Sequence, residues 1–185
     1  MKNAKGKGNR GELQVCKILN TRFNTNQFGR VPSSGGISTF RKGALSAEAE
    51  KTLSGDVFSP AGFIWALEIK TGYDLEFNYF LNEKPSADFN MLRDFCFQSS
   101  RDAKRVEGRI PMVIYNKDRR DPVCVLPLNN HSRSEILKEI LEKKLNKYIY
   151  IDITITDFPE WDKWIIVSMT DLLKMENDFF FEKEI

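Results

Sequence analysis

Histidine is nearly absent: His131 is the only one in 185 residues. Zinc enzymes, Ser-His hydrolases and nucleases that use histidine as ligand or base each need a well-placed imidazole, so one scarcity argues against all three. Cysteine is scarce too. Cys16, Cys96 and Cys124 are odd in number, far apart and set in apolar surroundings, which predicts buried free thiols rather than a disulfide framework or a zinc site. No run approaches the roughly 18 apolar residues of a membrane span, and the N-terminus has no apolar signal-peptide core. The expectation is an intracellular, cytoplasmic protein with no membrane partner.

What is present fits one soluble domain spanning residues 1–185. The length can bury a real core, and 41% hydrophobic with 29% charged residues is ordinary globular composition. Neither a repeat nor a low-complexity linker divides the chain. The net charge of +2 conceals an asymmetry. Up to Lys51 there are ten basic residues and only three acids, Glu12, Glu48 and Glu50, whereas the rest carries 18 basic and 23 acidic residues. A basic first quarter on a mildly acidic body implies an edge that faces a polyanion.

The chemistry centres on Ser54 to Thr71. Ser59, Pro60, Ala61 and Gly62 read as a turn, since Pro presets one turn residue and Gly tolerates positive φ. Beyond it Phe63, Trp65, Leu67 and Ile69 alternate with Ile64, Ala66, Glu68 and Lys70, the period of two of a strand. Glu68 and Lys70 share a face, and an antiparallel hairpin puts Asp56 opposite Ala66 and diagonal to Glu68. Two such carboxylates can hold a hard cation, and the lysine beside it can orient or deprotonate a water. A solvated sheet face is the plain alternative.

Glu68 twelve positions after Asp56, with Lys70 two further on, resembles the PD-(D/E)XK nuclease superfamily. Gly55 stands where that family has proline, a replacement expected to cost little. Asn9 is expected to cap a helix from Arg10 to about Arg22, leaving residues 1–10 as a flexible basic tail. Glu12 then lies in line with Cys16, Leu19 and Phe23, either as the partner in a capping box or as a carboxylate aimed at the site. The order Lys7-Gly8-Asn9-Arg10-Gly11-Glu12, a helix, Arg30, Pro32-Ser33-Ser34-Gly35-Gly36, Gly55-Asp56 and Glu68-Ile69-Lys70 resembles the archaeal-type Holliday junction resolvases and their phage relatives, over roughly residues 5 to 72.

The resemblance implies an α/β (α+β) fold, a central mixed β-sheet flanked by helices with a restriction-endonuclease-like core. It implies a metal-dependent DNA endonuclease that resolves four-way junctions as a homodimer. Asp56, Glu68 and the Ile69 carbonyl would hold Mg²⁺, with Mn²⁺ able to substitute, and Glu12 would reach a second ion. Glu12, Asp56, Glu68 and Lys70 form the expected catalytic set. Lys5, Lys7, Arg10, Arg30, Ser33, Ser34, Arg41, Lys42 and Gln98 are the expected DNA or phosphate contacts. Alternatives are another nuclease of the superfamily acting on linear or branched DNA, and a non-catalytic DNA-binding module.

Residues 37–54 read as an inserted loop, and Ala44 to Thr52 within it as a short helix. Further strands are expected at Ile110 to Tyr115, Val123 to Leu126, Tyr148 to Ile155 and Trp164 to Met169. Helices are expected from Ser86 to about Val106, after Ser132 or Ser134, and at Asp171 to Met175. About 128–185 is a C-terminal extension of the same domain, in which Phe179 to Phe181 should dock on the core or on a dimer partner.

Overall fold

A computed structural model describes residues 4–31, 55–75, 87–117, 120–143 and 148–182. The expected loop at 37–54, Ser33, Ser34, Arg41 and Lys42 lie outside them. Helix α1 (Ala4–Phe23) leads to two short strands, β1 (Gly29–Arg30) and β2 (Val57–Phe58), and then to β3 (Trp65–Thr71). Helix α2 (Ala87–Lys104), β4 (Ile110–Asn116), β5 (Val123–Pro127) and helix α3 (Ser134–Lys143) follow. Strands β6 (Tyr148–Asp152) and β7 (Lys163–Ser168) and the short helices α4 (Met169–Leu172) and α5 (Asn177–Phe180) complete the chain.

Five strands form one mixed sheet in the order β3-β4-β5-β7-β6. Only β3 and β4 run parallel, with Glu68 opposite Val113 and Lys70 opposite Tyr115. Their connection is α2, as a parallel crossover requires. The other pairs are antiparallel. Alternation along β3 sorts its side chains: Trp65, Leu67 and Ile69 join Val15, Cys16 and Leu19 of α1 in one core, while Ala66 joins Leu92, Phe95 and Cys96 of α2 in the other. Both faces of β3 are therefore covered, so Glu68 is not on a solvated face. This is the α/β architecture expected.

Two local expectations are corrected. Helix α1 begins at Ala4, not after Asn9, so the segment expected to be a flexible tail is helical from residue 4 on. Glu12 then lies in mid-helix and cannot belong to an N-terminal capping box. The hairpin is also replaced. Strand β2 pairs with β1, Arg30 opposite Val57, and Gly55 meets Leu67 in a parallel bridge. The start of β3 is taken by the C-terminus instead: Ile64 N–H donates to Phe180 O at 3.0 Å and Glu182 N–H to Gly62 O at 2.7 Å. Phe179 and Phe180 are buried, so the aromatic tail docks on this chain's own core. The turn falls one residue later than expected, closed by Phe63 N–H to Pro60 O at 3.2 Å, with Gly62 at φ 76°.

Gly55 has a structural reason of its own. Its φ is 86°, and a Cβ there would stand 2.4 Å from the Leu67 carbonyl oxygen. Proline, locked near φ −65°, cannot take this conformation. In this chain the glycine is what lets the Asp56 backbone lie against β3.

Candidate active site

Asp56 is fixed to β3 by two bonds. Its backbone N–H donates to Leu67 O at 2.8 Å, and its Oδ2 accepts the Ile69 N–H at 2.8 Å. The N–H and C=O of one strand residue point to the same side, so the Ile69 carbonyl opens on the edge where Asp56 stands. On the α2 side of β3, Glu68 is only 7% exposed. Its Oε1 meets Lys70 Nζ at 2.5 Å. The ammonium also donates to Gln98 Oε1 of α2 at 2.7 Å and lies 5.1 Å from the Phe95 ring centroid. Lys70 is thus held from three sides.

Glu12 reaches the same neighbourhood from α1. Its Oε2 accepts the Arg30 Nε–H. Gly11 makes the close approach possible, since a Cβ there would stand 1.9 Å from Thr71 Oγ1. Both glutamates have raised pKa values. Burial is the main cause for Glu12, with Asp56 adding to it and Arg30 and Lys70 opposing. Burial pushes Glu68 up to about 7, again with Asp56 adding and Lys70 opposing. Burial, more than repulsion between the carboxylates, is what raises both.

The set expected from sequence is partly assembled. Glu12, Arg30, Asp56, Glu68, Ile69, Lys70 and Gln98 come together where α1, α2 and β3 meet. Arg10 is exposed on α1, and Lys5 and Lys7 fall in its first two turns. Asp102 is absent from the expected set, yet it follows Gln98 by one helical turn and its charge is felt at Glu68. The spacing of four on α2 is the signal that points to it. Residues given no site role from sequence are structural: His131 Nδ1 accepts the Arg133 N–H and its Nε2 is 2.7 Å from Pro127 O. The three cysteines are free and buried, with burial raising the Cys16 thiol to about 11.

A family described as "Phage putative PDDEXK endonuclease" matches residues 3–182. The chain belongs to this family. It is a nuclease of the PD-(D/E)XK type, and the shared span reaches far beyond residue 72 into the C-terminal third. Comparisons with curated proteins and with solved structures gave no match. PD-(D/E)XK nucleases generally work with divalent metals, and the donors fit one. Asp56, Glu68 and the Ile69 carbonyl offer only hard oxygens, and the Asp56 charge raises the cost of ionising Glu68, which a cation would lower. Among the described residues no group of three or more His, Cys, Asp or Glu side chains is placed to hold a metal ion. A site with two carboxylates and open positions suits an ion that keeps several waters. Among those residues, too, no helix is long and apolar enough to cross a membrane.

Proposed function

We propose that this PD-(D/E)XK protein is a Mg²⁺-dependent endonuclease that hydrolyses DNA phosphodiester bonds, with Mn²⁺ able to substitute. The observation that carries the reading is the Glu68–Lys70 pair, buried beneath α2 beside an Asp56 pinned to the Ile69 N–H. Burying such charges costs several kcal/mol per ion, roughly, and the fold gains little from them that apolar residues would not supply. Chemistry explains them better than packing does.

Asp56, Glu68 and the Ile69 carbonyl would hold the ion. A bound ion would supply Lewis acidity to the phosphoryl oxygen and to the attacking water. Lys70, steadied by Gln98, orients the attacking water and offsets the charge that builds on the phosphoryl oxygens. Arg30 is kept in place by Glu12, ready to contact the scissile phosphate, and Glu12 is the group for a second ion. The basic residues Lys5, Lys7 and Arg10 of α1, with Ser33, Ser34, Arg41 and Lys42, are assigned to the DNA backbone.

The proposed substrate is a four-way junction, cut by symmetric paired nicks from a homodimer. The support is the order of motifs from residue 5 to residue 72, together with the two-fold symmetry that paired cuts demand. Labelled four-way junction and matched linear duplex, incubated in Mg²⁺ with Asp56→Asn as control, test it. Paired nicks in the junction alone, absent in the variant, are expected. Equal cutting of both DNAs keeps the nuclease and removes the junction preference. Tight binding without product in either metal favours the non-catalytic module.

A further inference from the structure

Tyr73 is left unexplained by the site chemistry. Among the described residues it is one of four large hydrophobic side chains left exposed, at 43%. Leu13 is on α1, and Ile149 and Tyr150 are on β6, the sheet edge opposite β3. Tyr73 alone follows the strand that carries Glu68 and Lys70, two residues past its end.

The backbone that presents this ring is clamped. The Tyr115 hydroxyl donates to Tyr73 O at 2.6 Å and accepts the Leu75 N–H at 3.0 Å. Tyr115 is itself buried and lies opposite Lys70 on β4. The Tyr73 ring stands edge-on to Phe95, centroids 5.0 Å apart at 64°, and Phe95 in turn carries the Lys70 ammonium at 5.1 Å. One ring therefore separates Tyr73 from Lys70. The neighbouring Asp74 is paired with Lys117 at 2.7 Å, and Arg120 also acts on it, so its charge is offset by two cations.

A rigid exposed aromatic beside cations is how proteins take hold of single-stranded nucleic acid: a base stacks on the ring while the backbone meets positive charge. A base inside a continuous duplex has both faces already stacked and gains nothing. Tyrosine also offers this surface at a low cost in side-chain entropy. At about 3.4 Å per nucleotide along a strand, one intervening ring corresponds to a few nucleotides from the reacting phosphate. We propose that Tyr73 is a stacking platform for an unpaired base close to the scissile phosphate, which makes this nuclease prefer DNA with an opened strand over continuous duplex. The proposal rests on the nuclease reading above and not on the four-way junction, whose bases can all be paired.

The test uses the full chain with a flapped DNA carrying 2-aminopurine at successive unpaired positions, and a matched continuous duplex, with Ca²⁺ in place of Mg²⁺. The unsubstituted protein should quench the probe at one position near the branch. Tyr73→Ala should lose the quench and bind the flap about tenfold more weakly, with duplex affinity unchanged; Tyr73→Trp should keep both properties, and Tyr73→Leu should lose the quench. Equal losses on flap and duplex, a silent Tyr73→Ala, or a Tyr73→Leu that behaves like the parent each overturn the platform. A changed sedimentation coefficient with flap affinity intact would do so as well, by making Tyr73 a contact between copies. A parent chain that binds neither DNA in Ca²⁺ and cuts neither in Mg²⁺ removes the nuclease reading and the platform with it, whereas binding in Ca²⁺ and cleavage in Mg²⁺ by the parent, with a silent Tyr73→Ala, removes the platform alone.

Discussion

Glu68 holds a proton in the folded chain that an unfolded glutamate would have released. Its folded pKa is about 7 because of burial and Asp56, against an ordinary value of 4.5. The folded state thus binds more protons between those values, and stability must fall as pH rises from about 4.5 to about 7, then level off. The effect is on the order of 2 to 3 kcal/mol in metal-free protein. Urea unfolding across that window measures it, and excess Mg²⁺ should flatten the slope by favouring the ionised carboxylate. Stability that climbed with pH would contradict the burial argument. Lys70 offers a second residue-scale prediction. With Gln98→Ala the ammonium keeps Glu68 and loses its second anchor, so kcat should drop roughly 10- to 100-fold with little change in melting temperature. Gly55 offers a third: Gly55→Ala, forced to φ 86° against the Leu67 carbonyl, should cost roughly 1 to 3 kcal/mol and displace Asp56. An unchanged melting temperature would show that the segment relaxes freely.

The elements that frame the site depend on close approaches. Gly11 lets α1 touch Thr71, whereas a Cβ at Gly8 would meet only open space. Gly8→Ala should therefore stabilise the helix by up to about 1 kcal/mol through propensity alone. Gly11→Ala should destabilise the protein despite the same gain, since overpacking costs roughly 1 to 3 kcal/mol. Comparing the two variants by thermal melting separates propensity from packing. These elements also show what is legible in the sequence. The period of two along β3 places Glu68 and Lys70 together correctly, because that relation is local. The expected hairpin does not form because residues 62–64 find their backbone partners at Phe180 to Glu182, over a hundred residues away. Asn9 does not act as a cap because the helix simply continues through the lysines and glycines before it. Gln98 fits only loosely on sequence grounds, since its meeting with Lys70 depends on how α2 lies across β3, and no local pattern encodes that.

At the scale of the whole molecule, the basic first quarter supplies α1 and the C-terminal third supplies β6 and β7, with β7 set between β5 and β6 in the sheet. The aromatic tail ties both ends together: Trp65 Nε1 donates to Phe179 O at 3.1 Å, and Arg22 of α1 reaches Met175 O at 2.7 Å. The C-terminal third is thus part of what holds β3 in place, which accords with a family match running to residue 182. Phe179→Ala should cost about 3 to 5 kcal/mol and reduce cleavage only through loss of folded protein. In the function proposed above, Asp56, Glu68 and Lys70 together perform metal-dependent phosphodiester hydrolysis. Nicking of supercoiled plasmid DNA in Mg²⁺ by the parent chain and by Glu68→Gln, with EDTA as control, tests it most directly. The parent should give nicked product in Mg²⁺ and none in EDTA, and a Glu68→Gln protein that remains folded should lose at least about a hundredfold in rate. Equal nicking by parent and variant would contradict it.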